Sequence, residues 1–539
     1  MRTDKGKVRL VVVLDSVRQP DWVGRILKTL RDSEVADVSA IAVASPDRTS
    51  ATTRWFEQSL RLFERTARVQ TDLRAAHPSV PLAQLSQFEA HGSPSRTTPR
   101  QHPPGVDLAL VLRPLVVDTT RLRECVPVIS VEGWHPVDDC RCVEFSIVLR
   151  DVRSQPRVLS TSRVSSHPFS VAKTGESVAA HVGPILTRDL RRLRLEALLP
   201  NGALPPDGAS SDIHHPAVKP RPLSRYRRGR WLIRQAQVAA ADRLARSFRR
   251  KQWCIGLSAV GDTTDARLFD QPQAYTIWRP PPDRSWADPF PVQTEGRSYV
   301  FFEDLSHVSR VGRISVAEVS SVSLGRPHPV VTSDNHLSYP FTFHWNDTWF
   351  MMPQTDGVLG AHVYRATAFP YTWELQEHVL PDIPIVDATV EQIDGIWWLF
   401  ATSSPGGTRA WDSLSLFYGR SPLGPWTPHP HNPVKVDARS ARPAGRLFFQ
   451  GGHWYRPAQD CSHRYGYGLV FNRIDALSEG QYVETPVRRW RPDPATGWLA
   501  HHTFNVAGSM SVVDFQSGGL RGWLKRLPTT TPLADHLPR

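Results

Sequence analysis

The chain has 539 residues, 40% of them hydrophobic and 22% charged, which requires packed cores in two or three domains and excludes a disordered chain. Its formal net charge is +13, from 65 Lys and Arg against 52 Asp and Glu. That excess suits an anionic membrane surface or an acidic glycan, and with no zinc-finger spacing or RNA-binding signature beside it, nucleic acid is set aside as a partner.

Val8 to Leu14 is a near-continuous β-branched run, as in a strand buried on both faces. It is too short for a signal-peptide core or a membrane span, so a cytoplasmic location is expected. Pro20 to Ser33 places Trp22, Val23, Ile26, Leu27 and Leu30 at helical spacing. A strand is expected over Val38 to Ala44, a second helix over Thr53 to Thr66, and strands over Val106 to Leu112 and Val126 to Val131. A Ser/Pro/Thr-rich loop covers His91 to Gly105, and a helix runs from about Glu176 to Leu195. Strands alternating with helices predict an α/β domain with an open parallel sheet over residues 1–195. The five cysteines, Cys125, Cys140, Cys142, Cys254 and Cys461, are odd in number and irregular in spacing, which fits free thiols in a reducing compartment.

Residues 196–253 form the next segment. Pro200 to Pro222 is rich in Pro, Gly, Ser and Asp and reads as a linker. From Arg225 to Lys251 the only acid is Asp242, while Trp231, Leu232, Val238, Leu244 and Phe248 supply apolar contacts. A basic amphipathic helix of this kind can lie on an anionic bilayer, here the inner membrane surface; a solvated helix beside the linker is the other reading.

Residues 254–539 carry a repeat. A small polar triplet, a strand, a tight turn and an aromatic strand recur about every 50 residues, five times. The triplets open near residues 288, 339, 387, 442 and 502. The turns are Glu295-Gly296, Asn346-Asp347, Asp394-Gly395, Gly451-Gly452 and the stretch at Gly508. A single hairpin cannot bury its faces, whereas hairpins stacked in a ring can, so an all-β five-bladed β-propeller is predicted. In such a ring the first strand of each blade lines the axis. Asp288, Tyr339, Asp387, Arg442 and His502 hold equivalent repeat positions and are expected to converge on one polar pocket.

At Trp286-Ala-Asp-Pro-Phe290 the chain resembles five-bladed glycosidases of the arabinanase and levansucrase kind. The resemblance implies Asp288 as base or nucleophile and Asp387 as charge modulator or second carboxylate. Glycoside cleavage also needs a proton donor. No Glu opens the third blade, which leaves Glu303 and Asp460 as candidate acids. A closer resemblance, from about Ala274 to Asp514, is to the N-terminal propeller of plant glucosamine inositolphosphorylceramide transferases. Bacterial proteins join the same propeller to a formyltransferase-like domain. It rests on His336-Leu-Ser-Tyr-Pro-Phe341, Val386-Asp-Ala-Thr389, Arg439 to Arg446 and Arg456-Pro-Ala-Gln-Asp-Cys-Ser462. The Arg-rich motifs suggest that Arg442, Arg446 and Arg456 grip an anionic or hydroxyl-rich ligand, with Tyr339, Gln459 and His502 beside them.

The first domain resembles methionyl-tRNA and sugar N-formyltransferases through Val126 to Trp134. There Ser130-Val131-Glu132 stands where those enzymes carry Asn-x-His, which predicts a catalytically degenerate domain. No cofactor or metal is expected: there is no glycine-rich phosphate loop, and the pairs His214-His215 and His501-His502 lack partners at ligand spacing. Three functions follow. The first is making or breaking a glycosidic bond in cell-surface polysaccharide or glycolipid metabolism. The second is a non-catalytic glycan-binding module serving a partner glycosyltransferase. The third is a sugar N-formyltransferase.

Overall fold

A computed structural model describes residues 7–14, 18–43, 79–81, 108–112, 127–136, 141–150, 155–167, 171–198, 237, 249–259, 275–320, 323–380, 382–403, 411–492 and 498–520. The expected helix at 53–66, the loop at 91–105 and the linker at 200–222 lie outside these residues, as do Cys125 and Cys140. The chain divides into two compact units, Met1–Ala239 with Pro405–Thr408, and Ala240–Ser404 with Arg409–Arg539. No helix among the described residues is long and apolar enough to cross a membrane.

The first unit contains a six-stranded sheet. Across it the strands run Ala36–Val43, Val8–Leu14, Leu108–Val111, Val128–Pro136, Cys142–Arg150 and Arg157–Ser165. The first four are mutually parallel, as expected from the alternating pattern, but the last two pair antiparallel. The sheet is therefore mixed rather than wholly parallel. The cause is connection length: five residues separate Pro136 from Cys142 and six separate Arg150 from Arg157. A parallel crossover needs about a dozen. Helix α1, Asp21–Asp32, buries Val23, Ile26, Leu27 and Leu30, the stripe read from the sequence. Helix α2, Val171–Leu198, buries Val178, Val182, Ile185 and Leu186.

The second unit is a ring of five antiparallel sheets. The inner strands of the first three blades are Arg284–Thr294, Leu337–Trp345 and Ile385–Ile393, each followed outward by its hairpin partner. Phe448–Gln450 opens the sheet of the fourth blade. The predicted turns explain the hairpins. Glu295-Gly296, Asn346-Asp347, Asp394-Gly395 and Gly451-Gly452 all have positive φ at both positions, the twist that a two-residue hairpin requires. Aromatic rings fill the space between blades, with Phe290 set 4.9 Å from Tyr339 and Phe448 set 6.0 Å from Phe504.

The fifth blade is made from both ends of the unit. Phe504–Ala507 pairs with Met510–Leu520, which pairs with Arg249–Ala259, which pairs with Thr276–Trp278. Arg249 to Lys251, grouped above with the basic helix, thus begin a strand. Cys254 to Ser258 are all buried, Cys254 packing into one apolar cluster and Ile255 and Leu257 into another, and the ladder to Met510–Leu520 satisfies the backbone. The rest of the basic segment lies outside the described residues except for residue 237.

Candidate functional site

Three blades open with the same backbone irregularity. Register shifts occur between Ala287 and Phe290, between Ser338 and Phe341, and between Val386 and Thr389. At each shift a non-glycine residue takes positive φ: Asp288 at 49°, Tyr339 at 46° and Asp387 at 56°. Side-chain-bearing residues enter this region at a cost of about 1 kcal/mol or more and persist where surrounding contacts hold them. Here the bulge breaks the ladder and turns the side chain toward the axis.

Those contacts form a ring through all five blades. Thr503 of blade five donates from Oγ1 to Asp288 Oδ1 at 2.6 Å, and the Tyr339 amide donates to Asp288 Oδ2 at 3.1 Å. The Tyr339 hydroxyl lies 2.8 Å from Thr389 Oγ1 and accepts from the Gly445 amide at 2.9 Å. Arg442 Nε donates to Asp387 Oδ2 at 2.5 Å, and Gln459 Nε2 donates to the same oxygen at 3.3 Å. Gly445 has φ of 128°, and a side chain there would begin 2.1 Å from the Phe504 carbonyl oxygen, so only glycine fits between blades four and five.

Asp514, which the sequence reading passed over, organises the seam between blades five and one. It is fully buried, and its oxygens accept from the amides of His502, Thr503 and Asp288 at 2.8, 3.0 and 3.1 Å. His502 Nδ1 lies 2.5 Å from Asp514 Oδ2, and its Nε2 lies 3.8 Å from Asp288 Oδ1. Burial alone would push His502 down, but the Asp514 and Asp288 carboxylates outweigh it and raise the imidazole to about 9. It is an imidazolium at neutral pH, stacked 4.2 Å from Trp253. Asp288, His502 and Asp514 are also the one group among the described residues whose ligand atoms lie close enough, within 4.8 Å, to hold a metal ion. As an imidazolium, His502 lies between the Asp514 and Asp288 carboxylates and compensates their buried charge.

Glu303 lies beside Asp288, since its strand pairs it with Ala287. Burial pushes its carboxyl upward and Asp288 pushes the same way, against a 3.2 Å contact with His336 Nε2. Tyr465 covers the cluster. Its ring lies 4.9 Å from the Arg442 guanidinium carbon and 5.4 Å from His502, yet the residue is 40% exposed. It is an accessible aromatic surface above buried charges. Its position in a loop after blade four's second strand gave the sequence reading no periodic signal.

The structure thus brings together Asp288, Tyr339, Asp387, Arg442, Gln459, His502 and Glu303. Arg446 sits between blades, its guanidinium 4.9 Å over Phe341 and bonded to the Thr342 carbonyl, with its amide donating to Asn505 Oδ1 at 2.6 Å. Arg456 does not meet the expectation of a ligand-binding arginine. It is fully buried, bidentate to Glu484 at 2.7 and 2.8 Å, and bonded to the Ser440 and Ala441 carbonyls, so its donors are engaged inside the fourth blade. Asp460, a candidate acid, is also buried; it accepts from the Ser462 amide at 3.0 Å and lies 3.9 Å from Arg489. No contact among the described residues links Asp460 to Asp288.

Fold and site together define a five-bladed propeller with a buried, charged cluster at its axis. Residues 280–511 match the family model described as glucosamine inositolphosphorylceramide transferase 1, N-terminal. The protein of that name from Oryza sativa subsp. japonica is 38% identical over 211 residues, and that from Arabidopsis thaliana 35% identical over 211. Each alignment covers 38% of this chain and 28% of the relative, so the chain matches little more than a quarter of those proteins. Among solved structures, it is similar to an exo-β-1,3-galactanase from Phanerochaete chrysosporium, with 15% identity, a TM-score of 0.32, and coverage of 50% of this chain and 66% of the other. An enzyme of the GH43_1 group from Xanthomonas citri gives 16%, 0.29, 46% and 96%.

Proposed function

We propose that the propeller binds a carbohydrate at its axis and makes or breaks a glycosidic bond there, in polysaccharide or glycolipid metabolism. The observation that carries this is the pairing of Asp288 with Glu303 in one buried site. Glycosyl chemistry needs one carboxyl group that holds a proton and one that does not, and unlike environments are what separate two such groups. Burial and the Asp288 charge favour the protonated form of Glu303, making it the general acid. Asp288, with the His502 imidazolium beside it, is the base or nucleophile. Asp387, clamped by Arg442, sets the charge across the axis, and Tyr465 offers a face on which a sugar ring stacks. The transferase name of the plant relatives supports a sugar-bearing lipid or polymer as the substrate class.

The Arg442–Asp387 pair favours a second reading, a module that holds a glycan for a partner transferase. A carboxylate neutralised at 2.5 Å is a recognition element rather than a reactant. N-formyl transfer finds no support in the first unit. Ser130 Oγ donates to Glu132 Oε1 at 2.5 Å, and Arg150 binds both Glu132 oxygens, so both are already engaged as acceptors.

The test is turnover and binding on a panel of nucleotide sugars and envelope oligosaccharides. With Asp288→Asn, turnover is expected to fall by about 10²–10⁴-fold with the fold intact by circular dichroism. Turnover that survives Asp288→Asn removes Asp288 from the chemistry. Saturable binding without turnover, lost in Arg442→Ala, makes the propeller a binding module.

A further inference from the structure

Blade one carries a second polar cleft at its rim. Arg284 opens the inner strand, Ser306 closes the second strand, and Arg313 stands near the start of the third. Ser309 lies in the loop between the second and third strands. Thr332, Ser333 and Asp334 come from the connection to blade two. Together they line a space of about 420 Å³. The side chains are fixed from beneath. Asp304, 2% exposed, accepts from Arg284 Nε at 2.5 Å, Arg313 Nε at 3.0 Å, Ser315 Oγ at 3.2 Å and Trp286 Nε1 at 3.2 Å. One buried carboxylate therefore aligns two guanidiniums and neutralises half of their charge. The hydroxyls of Ser306, Ser309 and Ser333 accept from backbone amides of their own loops, which leaves their protons to donate.

This donor set surrounds one exposed carboxylate, Asp334. With Asp304 beneath and Asp334 at the side, the two arginines are balanced, so an anion gains little there. Donors and acceptors in alternation suit a neutral polyol, whose neighbouring hydroxyls both give and take hydrogen bonds. Val311, two residues after Ser309, is the apolar member of the lining, of the kind that the C–H face of a sugar ring covers. The cleft also adjoins the axial site. Arg284 lies four residues before Asp288 on one strand, roughly 13 Å at about 3.3 Å per residue. Glu303 lies three residues before Ser306, and His336, which contacts Glu303, follows Asp334 by two.

We propose that this rim cleft is a subsite for a neutral hexopyranose unit, so that the substrate is an oligosaccharide or glycolipid headgroup long enough to reach from Asp288 to Arg313. The proposal rests on the axial reading for its direction but not for its test. Methyl α-D-glucoside, methyl α-D-galactoside and methyl α-D-mannoside are each presented to the full-length protein, and saturation-transfer NMR reads binding. At least one is expected to bind wild type, with affinity falling by about fivefold or more in Arg313→Ala and in Ser333→Trp, which fills the cleft. Binding to none of the three overturns the subsite. So does binding that Ser333→Trp leaves unchanged, or binding that inorganic phosphate displaces at millimolar concentration, which would mark an anion site. Failure of the axial reading looks different, since Asp288→Asn and Arg442→Ala would then change neither turnover nor binding at the axis.

Discussion

At the scale of single residues, His502 is where electrostatics and fold meet. Its raised value comes from two carboxylates that only the assembled ring supplies, Asp514 from its own blade and Asp288 from blade one. The folded value of about 9 lies above the ordinary 6.5, so the imidazolium stabilises the native state fully below about 6.5, and that contribution is lost as pH rises through about 9. A shift of this size corresponds to about 3 kcal/mol. Urea unfolding at about pH 6 and about pH 10 should show wild type losing more stability than His502→Gln, which has no such proton to lose. Equal losses would mean that the pairing with Asp514 does not stabilise the fold. The histidine was legible in the sequence because it opens a repeat. Asp514 was not, because a carboxylate at the middle of a hydrophobic strand carries no periodic mark of its axial role.

At the scale of elements, a buried ionic knot ties blade four to the last strand of blade three. Glu484 binds Arg456 in bidentate fashion, takes Lys435 at 2.7 Å and accepts from the Tyr482 hydroxyl at 2.5 Å. Burial alone would raise its carboxyl, but Arg456 and Lys435 draw it down to about 2. Replacing one member of such a knot leaves the others buried without partners, which costs about 3–5 kcal/mol. Glu484→Gln should therefore lower the unfolding midpoint sharply, measurable by thermal denaturation, while the surface substitution Glu479→Gln should change it little. A mild effect for Glu484→Gln would mean that water or another acid replaces it. The knot also explains why Arg456 misled a reading by motif. Arg456-Pro-Ala-Gln-Asp460 mixes a structural arginine with Gln459, which does reach Asp387, and alternation along a strand sends neighbours to opposite faces. The hairpins themselves were legible, since their turns demand Gly, Asn or Asp for reasons local to a few residues. The strand Arg249–Ala259 was not, because its partner lies some 260 residues away and its basic start mimics the helix expected before it.

At the scale of the whole molecule, ring closure decides what counts as the domain. The family match spans residues 280–511, yet the ladder that completes blade five runs from Met510↔Ala259 to Leu520↔Arg249, mostly outside it. A chain cut to residues 280–511 should expose unpaired strand edges on blade five and fail to unfold cooperatively, whereas residues 245–525 should give one sharp transition. Calorimetry of the two fragments distinguishes these outcomes; a sharp transition from the shorter one would show the closing strands to be dispensable. The same pairing has a mechanical side. Arg249 and Leu520 face each other at one end of an antiparallel ladder, so the chain enters and leaves the ring at nearly the same point. Tension transmitted through the flanking segments would pull this ladder apart one hydrogen bond at a time, like a zipper, rather than shear all of it together. Force would therefore open blade five from within, along a ladder that includes Trp253, the residue stacked on His502.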